Sequence, residues 1–274
     1  MNGFLARAGG AAAAGGALCM LTMTAASASG GGSAVIHHGA LGPAGSVASR
    51  GVAPRPTSED PAIGRVIAAA ARSRTFAGYQ TAVTAGSATT SAASFTVPAL
   101  SCTAATVGIA PDAGVAANNF KTASVAGVFI ACAKGKAVYY PFLVANGAQA
   151  DYTTVHLSAG DAINLSASVT TSGTTVQVTD TTKSVTVTNT ITGAGASADA
   201  AWIGDESGVN SSGALIGVPN FGKLTFTNCL IDGTALGGWH PKAYQRVNSH
   251  GTVQIATGGP WPGGTAFTTH YQHS

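Results

Sequence analysis

Carboxyl side chains, which can move protons and activate water, are scarce in this sequence. The chain has 274 residues but only 10 Asp and Glu in all. Its two Glu are Glu59 and Glu206, and Glu206 directly follows Asp205. General acid–base chemistry needs an ionisable group within hydrogen-bond reach of the reacting proton. Any mechanism built on paired carboxylates must therefore draw on very few residues.

Motifs for metal, nucleotide and serine chemistry are absent from the sequence. It has no Cys-x-x-Cys, no His-Glu-x-x-His and no Gly-x-Ser-x-Gly, and its 7 His are scattered. Lys134-Gly-Lys136 lacks the earlier Gly of a phosphate loop, and Gly193-Ala-Gly195 lacks the third Gly of a dinucleotide motif. We therefore expect no metal and no cofactor.

The composition excludes two further classes of protein. Only 8% of the residues are charged, against about 25% in a typical soluble protein, and Ser, Thr, Ala and 37 Gly take their place. The apolar share of 45% argues against intrinsic disorder. A net charge of +3 without a basic stripe argues against nucleic-acid binding. We expect a soluble monomer.

The N-terminus predicts export. Residues 1–28 have the parts of a secretory signal peptide: Arg7, an apolar stretch from Ala11 to Met23, and the small-residue site Ala26-Ser27-Ala28. The apolar stretch is shorter than the ~20 residues of a membrane span. We therefore expect cleavage near Ala28, a secreted protein and no membrane span in the mature chain.

Residues 29–74 differ from the rest of the chain in composition. They are rich in Gly, Ala, Pro and Ser and carry a net charge of +3 from five Arg against Glu59 and Asp60. One interpretation is a flexible exported linker. The other is a pro-segment or docking arm whose Arg residues face acidic residues of the domain. Residues 62–73 are Ala-rich enough for a short helix after Pro61.

Residues 75–274 are predicted to form one antiparallel β domain. Apolar and polar residues alternate in segments such as Ser94–Pro98 and Leu224–Phe226. Val176–Val178 and Val185–Val187, joined through Asp180–Lys183, predict a hairpin. Strands without intervening helices favour an all-β sandwich or barrel with hydroxyl-rich outward positions.

Three cysteines remain after removal of the signal peptide. In an exported chain, the favoured disulfide joins Cys102 and Cys132 and closes a thirty-residue loop. Cys229 is then left over, as a small buried hydrophobic residue within a strand.

Four short motifs occur in a fixed order along the domain. They are Phe76-Ala-Gly-Tyr79, Ser94-Phe-Thr-Val-Pro98 with Cys102, Ala200-Ala-Trp-Ile203, and Asn220-Phe-Gly-Lys-Leu-Thr-Phe226. In this order the chain resembles the glutamic peptidase (eqolisin) family, secreted acid endopeptidases with a lectin-like (concanavalin-like) β-sandwich. The resemblance runs from about Phe76 to Tyr271.

The resemblance implies a catalytic Glu/Gln dyad, in which Glu is the general base and the Gln amide stabilises the oxyanion. Carried over to this sequence, the Glu position holds Asp205, with Glu206 next to it on the opposite face of the strand. The Gln position, anchored on Gly127 and Cys132, holds Val125, which has no donor. The Asp of a further family segment falls at Ala110. The expected dyad is therefore degenerate.

The resemblance also implies a substrate groove lined by aromatic residues. The expected lining is Trp202, Tyr79, Phe95, Tyr139 and Tyr140, beside Val125. Three functions follow from these expectations. The first is an impaired peptidase homologue that binds peptide or glycan in the groove. The second is an atypical acid endopeptidase that uses Asp205 or Glu206 as the base. The third is a structural cell-surface module.

Overall fold

The computed structural model describes nearly all of the predicted β domain and little before it. The described residues are 37–38, 70–83, 89–103, 105–117, 122–193, 197–209, 215–259 and 264–273. The predicted signal peptide and most of the segment 29–74 lie outside them. Within the described residues the chain is built of strands, and the one helix is a short 3-10 turn, Leu236–Trp239. This part of the chain holds no helix long and apolar enough to cross a membrane.

Seventeen strands occur in the described ranges. They are β1 (His37–His38), β2 (Ala71–Ser73), β3 (Phe76–Ala82), β4 (Thr89–Thr96), β5 (Val107–Ala117), β6 (Thr122–Ala133), β7 (Lys136–Ala145), β8 (Ala148–Asp151), β9 (Ala162–Thr170), β10 (Gly173–Asp180), β11 (Val185–Thr192), β12 (Ala198–Val209), β13 (Lys223–Ile231), β14 (Thr234–Ala235), β15 (Lys242–Val247), β16 (Val253–Thr257) and β17 (Phe267–Tyr271).

The strands form two packed sheets, which confirms the predicted all-β sandwich. Sheet A runs in the order β8, β7, β6, β5, β12, β3, β15, β16, β17 and the first half of β13. Sheet B runs in the order β14, second half of β13, β4, β9, β10 and β11. Both sheets are antiparallel, and only β2 lies parallel to its neighbour, β15. β13 crosses between the sheets at a register shift between Thr227 and Leu230.

Sheet B follows the predicted alternation. In β4, Ala93 and Phe95 are buried while Ser94 and Thr96 face outward, because one face packs on sheet A and the other meets water. The predicted hairpin is confirmed: β10 pairs with β11, and Val178 lies opposite Val187.

Sheet A is buried on both faces around β5, β6 and β12. Its inner face packs on sheet B and includes Ile203 and Val128. Its second face, here called the outer face of sheet A, carries a separate apolar cluster that includes Trp202, Val125 and Phe142. Burial on both sides explains the near-continuous small and apolar runs of β5 and β6, which show no alternation of period two.

The sheet begins before the predicted domain boundary. Ala71–Ser73 pairs with β15, so the prediction of a helix over residues 62–73 is wrong at its C-terminal end. Ladder hydrogen bonds to β15 override the weak helix propensity of this short segment. Further upstream, β1 pairs with Gly208 and Val209 at the end of β12.

The predicted disulfide is confirmed. Cys102 and Cys132 are joined, with their Cα atoms 5.4 Å apart and a sequence separation of 30. It ties the loop before β5 to the end of β6, the partner of β5. Cys229 is free and buried, as predicted.

Replacing both disulfide cysteines, Cys102→Ser with Cys132→Ser, should lower the free energy of unfolding by about 3 kcal/mol, because the open loop gains entropy in the unfolded chain. Denaturant unfolding of the purified protein measures this change. Cys102→Ser alone should cost about as much as the double variant, since either change opens the loop. An unchanged midpoint in both would contradict the assignment.

Candidate functional site

The alternation of side chains along β12 decides where its two adjacent carboxyls lie. Trp202 belongs to the cluster on the outer face of sheet A, whereas Ala201 and Ile203 belong to the core between the sheets. Successive residues of a strand point to opposite faces, and β12 pairs with β5 without a register shift from Ala200 to Ser207. Glu206 therefore shares the outer face with Trp202, and Asp205 points into the core.

This geometry corrects the placement of the two candidate bases. Val125 lies opposite Gly114, which lies opposite Trp202, so Val125 is also on the outer face. Asp205, expected beside Val125, is on the other side of the sheet. Glu206, expected to point away from the groove, is on the same side as Val125. No bulge intervenes in β12 to bring Asp205 across.

A third carboxyl, Asp112, joins Glu206 on the outer face. Asp112 lies in β5 opposite Gly204 and Gly127, and the indole Nε1–H of Trp202 donates to Asp112 Oδ1 over 3.0 Å. Asp112 Oδ2 has no hydrogen-bond partner among the described residues. The two carboxyl groups share this face with the indole and are here called the outer-face carboxyl pair (Asp112 and Glu206).

The outer-face pair is held in an environment that favours a proton. Burial raises the pKa of Asp112 well above its ordinary value, and the charge of Glu206 and then that of Asp205 raise it further, against the opposing effect of the Trp202 hydrogen bond. Two carboxyls that interact this way cannot both ionise without cost. The pair therefore retains a proton at a pH at which exposed carboxyls are charged.

Sequence reasoning missed Asp112. It follows Pro111 and precedes Ala113-Gly114, a context that resembles a turn and gives no sign of a central strand. The available signal was its distance of two residues from Ala110, the position that the family resemblance assigns to Asp. Positions two apart share one face of a strand, so the carboxyl is displaced by two residues along the same face.

Asp205 has a different environment, in the core. Burial raises its pKa to about 7, although Thr269 and the charge of Arg246 oppose the shift. Neither carboxyl oxygen has a partner at hydrogen-bonding geometry in the described part of the chain. Arg246 is itself buried, with a pKa lowered to about 10 by burial, and its Nη2 donates to the carbonyl of Ile216 over 2.9 Å.

The outer face of sheet A is filled by its own aromatic side chains. The ring of Trp202 lies against Gly114 and the ring of Phe142 lies against Gly127, each so close that a Cβ on the glycine would collide with the ring. Val125 is 1% exposed, Trp202 0% and Glu206 4%. Two glycines in neighbouring strands thus allow large rings to lie flat over the sheet.

The remaining aromatic candidates divide between the two faces. Tyr140 is half-buried on the outer face, with its ring 5.2 Å from that of Phe129. Tyr79 and Phe95 are core residues and not groove residues: Tyr79 packs on Phe267 and donates to the Gly258 carbonyl, and Phe95 packs on Phe226. Tyr139 also packs on the inter-sheet core, because adjacent residues of a strand point to opposite faces and Tyr140 takes the outer one.

Two glutamines share the outer face, but neither adjoins the carboxyl pair. Gln80 lies opposite Trp202 in β3, four residues from Phe76, which lies opposite Glu206; four residues of strand span about 13 Å. Gln149 lies opposite Val144, four strand spacings from β12, or about 19 Å, and its Nε2 donates to Asp151. Neither amide stands at the position of Val125.

Metal ligation has no structural support in the described residues. They contain no group of three or more His, Cys, Asp or Glu side chains arranged to hold an ion.

The packing of Trp202 on Gly114 can be tested by a double-mutant cycle. Gly114→Ala should lower the free energy of unfolding by about 1–3 kcal/mol, because the added methyl overpacks the indole. In the background of Trp202→Ala the same change should cost less than half as much, since the ring is gone. Thermal or denaturant unfolding of the four proteins measures the coupling. Equal costs in both backgrounds would show that the ring does not lie on Gly114.

The buried carboxyls predict a stability that falls as pH rises. The pKa of Asp205 is raised from 3.8 to about 7 in the folded protein, and that of Asp112 is also raised, so the folded state binds these protons more tightly than the unfolded chain. The free energy of unfolding should be highest below about pH 4 and decline towards pH 7, by up to ~1.4 kcal/mol per pH unit for each group.

Asp205→Asn should flatten this decline, because the amide does not titrate. Denaturant unfolding at pH 3, 5 and 7 measures the slope, and Asp232→Asn, at an exposed turn, serves as the control that leaves it unchanged. A variant slope equal to that of the wild type would contradict the burial of a titrating Asp205.

Comparison with known proteins agrees with this architecture. No curated protein sequence matches the chain. Among solved structures, scytalido-glutamic peptidase bound to a peptide-based transition-state analog is 18% identical, with a TM-score of 0.57 over 72% of this chain and 98% of that one. SCP-B, an eqolisin bound to the tripeptide Ala-Ile-His, is 16% identical, with a TM-score of 0.56 over 73% and 98%. At these identities the likeness shows the fold.

The family is shown by the sequence itself. The profile of the Peptidase A4 family matches residues 74–269, which is most of the chain and nearly all of the β domain. The chain belongs to the peptidase A4, or eqolisin, family of glutamic peptidases.

Proposed function

We propose that this protein is a secreted peptidase A4 homologue that is impaired in peptide-bond hydrolysis and retains a role in binding polypeptide or glycan. One observation carries the proposal. Val125 stands at the position that the family resemblance assigns to Gln, on the same face as the outer-face carboxyl pair. A valine cannot donate a hydrogen bond to a developing oxyanion.

The energetic consequence of Val125 is large. Removing one oxyanion donor typically costs ~10²–10³-fold in rate. Gln80 and Gln149, on the same face, lie about 12 Å or more from the pair across the sheet. Neither side chain reaches across that distance. Hydrolysis would therefore proceed without the electrostatic stabilisation on which the Glu/Gln mechanism rests.

The packing of the outer face is the second support. A substrate carbonyl must come within hydrogen-bond distance of the base and its water. Here Trp202 lies on Gly114, and Trp202, Val125 and Glu206 are all at most 4% exposed. Productive binding of a peptide over the pair would require the indole to leave both Gly114 and its hydrogen bond to Asp112.

The binding role follows from the retained scaffold. Two solved relatives of the same fold hold a peptide-based analog and a tripeptide, and half-buried Tyr140 extends the aromatic surface of the outer face. We extend this role to the present chain as polypeptide or glycan binding by a monomer, after export and removal of residues 1–28. Asp205 is assigned no contact with the ligand, because it lies in the core.

A second candidate function is an atypical acid endopeptidase that uses the outer-face carboxyl pair. The supporting observation is the mutual charge effect between Asp112 and Glu206. In this reaction the Glu206 carboxylate takes a proton from water as the water oxygen bonds to the scissile carbonyl carbon. The retained proton of Asp112 then passes to the leaving amine as the C–N bond breaks. Two carboxyls that share one proton suit such a division of roles.

Proteolysis at acid pH separates the two functions. The purified secreted protein is incubated with an unfolded protein between pH 2 and 6, and new N-termini are counted. We expect cleavage at least 10²-fold slower for the wild type than for Val125→Gln, because the variant restores a donor on the face of Glu206. Val125→Leu is the matched control for a larger side chain without a donor, and it should not gain activity.

Variants of the three buried carboxyls distinguish the impaired homologue from the acid endopeptidase. Efficient wild-type cleavage that is abolished by Glu206→Gln or Asp112→Asn, but kept by Asp205→Asn, would reject the impaired homologue in favour of the acid endopeptidase. Cleavage that depends on Asp205 instead would contradict the assignment of faces along β12. Unfolding curves of each variant, taken at the assay pH, exclude loss of the fold as the cause.

A further inference from the structure

A second surface, on the opposite side of the molecule, has the chemistry of a binding site. The outward positions of sheet B carry mostly Ser, Thr, Asn and Gln, in register across its strands. The rows are Thr227, Ser94, Asn164, Thr179 and Thr186; then Leu230, Ala92, Ser166, Gln177 and Thr188; then Thr90, Ser168, Thr175 and Thr190. No charged side chain occupies these positions.

The hydroxyls of this face are ordered by contacts with one another. Thr175 pairs with Thr190 over 3.2 Å, Thr179 with Thr186 over 3.1 Å, and Gln177 Nε2 donates to the Thr188 hydroxyl over 3.0 Å. A rigid, uncharged array of hydroxyl and amide groups is pre-organised for ligands rich in oxygen, because little side-chain entropy remains to be lost on binding.

A cavity opens at one end of the array. Its volume is about 480 Å³, and it lies where β13 leaves sheet B for sheet A, between the end of β4 and the start of β9. Its walls are formed by residues 94–98 of β4 and its extension, 162–164 of β9, and Lys223, Thr225 and Thr227 of β13. The register shift of β13 between Thr227 and Leu230 marks the bend that separates these strands.

Unused hydrogen-bond donors converge on this cavity. Ser94 Oγ donates to Asn164 Oδ1 over 2.7 Å, which occupies the amide oxygen and leaves the Asn164 NH₂ group without a partner in the described structure. The hydroxyls of Thr96 and Thr225 and the ammonium group of Lys223 likewise have no hydrogen-bond or ion-pair partner within those residues. Ammonium and amide N–H groups only donate, so donors exceed acceptors.

The charge of the cavity is positive. Lys223 is the one charged residue among its lining, and no carboxylate belongs to it. Lys223 also lies opposite His270 of β17. Burial lowers the pKa of His270, and the charge of Lys223 lowers it further. An unpaired cation beside an excess of donors selects a ligand that carries both hydroxyls and a carboxylate.

We propose that this cavity binds an acidic polysaccharide, with one uronic-acid residue over Lys223 and Asn164 and the following sugars along the hydroxyl rows of sheet B. Commitment to a sugar and not a peptide rests on the rows themselves, because they present hydroxyl and amide partners across the face of the sheet, whereas a peptide that adds a strand would pair with the backbone at the edge of β11. The site is independent of the proposed function, since none of its lining residues belongs to the cluster around Trp202 and the carboxyl pair.

Calorimetric titration of the full secreted chain tests the proposal. The probes are α-1,4-linked tetragalacturonate, neutral maltotetraose and a polyglutamate peptide of equal charge. We expect saturable binding of tetragalacturonate that is at least 10-fold tighter than that of maltotetraose or polyglutamate. Affinity should fall as salt rises from 0.05 to 0.5 M, because Lys223 is exposed and its charge is screened.

Two lysine variants provide the matched comparison. Lys223→Gln should weaken tetragalacturonate binding about 10-fold, and Lys136→Gln, at an exposed position of β7 near the opposite end of sheet A, should leave it unchanged. Asn164→Asp should weaken it as well, because a carboxylate replaces the donor. Absence of saturable binding below ~10 mM, equal binding of polyglutamate, or equal effects of the two lysine variants would each overturn the proposal. Val125→Gln should not alter tetragalacturonate binding. A negative binding result would therefore leave the proposed impairment of peptide-bond hydrolysis untouched.

Discussion

Burial of β12 on both faces is the constraint on which the rest of this structure depends. The strand lies between β3 and β5 in sheet A, so each of its side chains must enter one of two packed environments. Its alternation sends Trp202 and Glu206 to one face and Asp205 to the other. Two adjacent carboxyls thereby enter separate buried surroundings, and each acquires different neighbours. Small residues in β3 and β5 make this possible, because large rings on one strand need space on the next.

Buried carboxyls give this charge-poor protein an acid-favouring design. Asp112, Asp205 and Glu206 are all at most 4% exposed, and among the described residues Arg246 is the buried cation whose charge acts on Asp205. Retained protons reduce the cost of burying three acids beside one base. The predicted stability at low pH and the predicted loss of stability on ionisation therefore both follow from the burial of these carboxyls. The pair on the outer face would remain a proton carrier even where the oxyanion donor is lost.

The exposed sheet compensates for the missing charge. Thr and Ser fill the outward positions of sheet B and bond to one another across the strands, so the solvent face stays polar without Lys or Glu. Sheet A thus buries the carboxyls Asp112, Asp205 and Glu206, whereas sheet B presents hydroxyl groups to solvent. The two sheets join along β13, and the cavity at this junction is lined by hydrogen-bond donors that have no partner in the described structure.

Much of this architecture was predictable from local sequence. Alternation in β4, β10 and β11 predicted sheet B and its hairpin, and the count of cysteines, together with the expectation of export, predicted the Cys102–Cys132 bond. Four ordered motifs predicted the family. Prediction was weaker in β5 and β6, where burial on both faces removes the period-two signal. Asp112 was missed for that reason, and Tyr79 and Phe95 were assigned to the groove because a motif names an aromatic residue without naming its face.

The sequence by itself determined the fold class, the family, the loss of Gln at Val125 and the scarcity of carboxylates, because each depends on residue type and order alone. Tertiary structure decided which carboxyl faces Val125. That choice depends on the register of β12 against its neighbours, and a shift of one residue exchanges the faces. Only the folded sheet holds Glu206 with Asp112 on one side and Asp205 on the other, in the core.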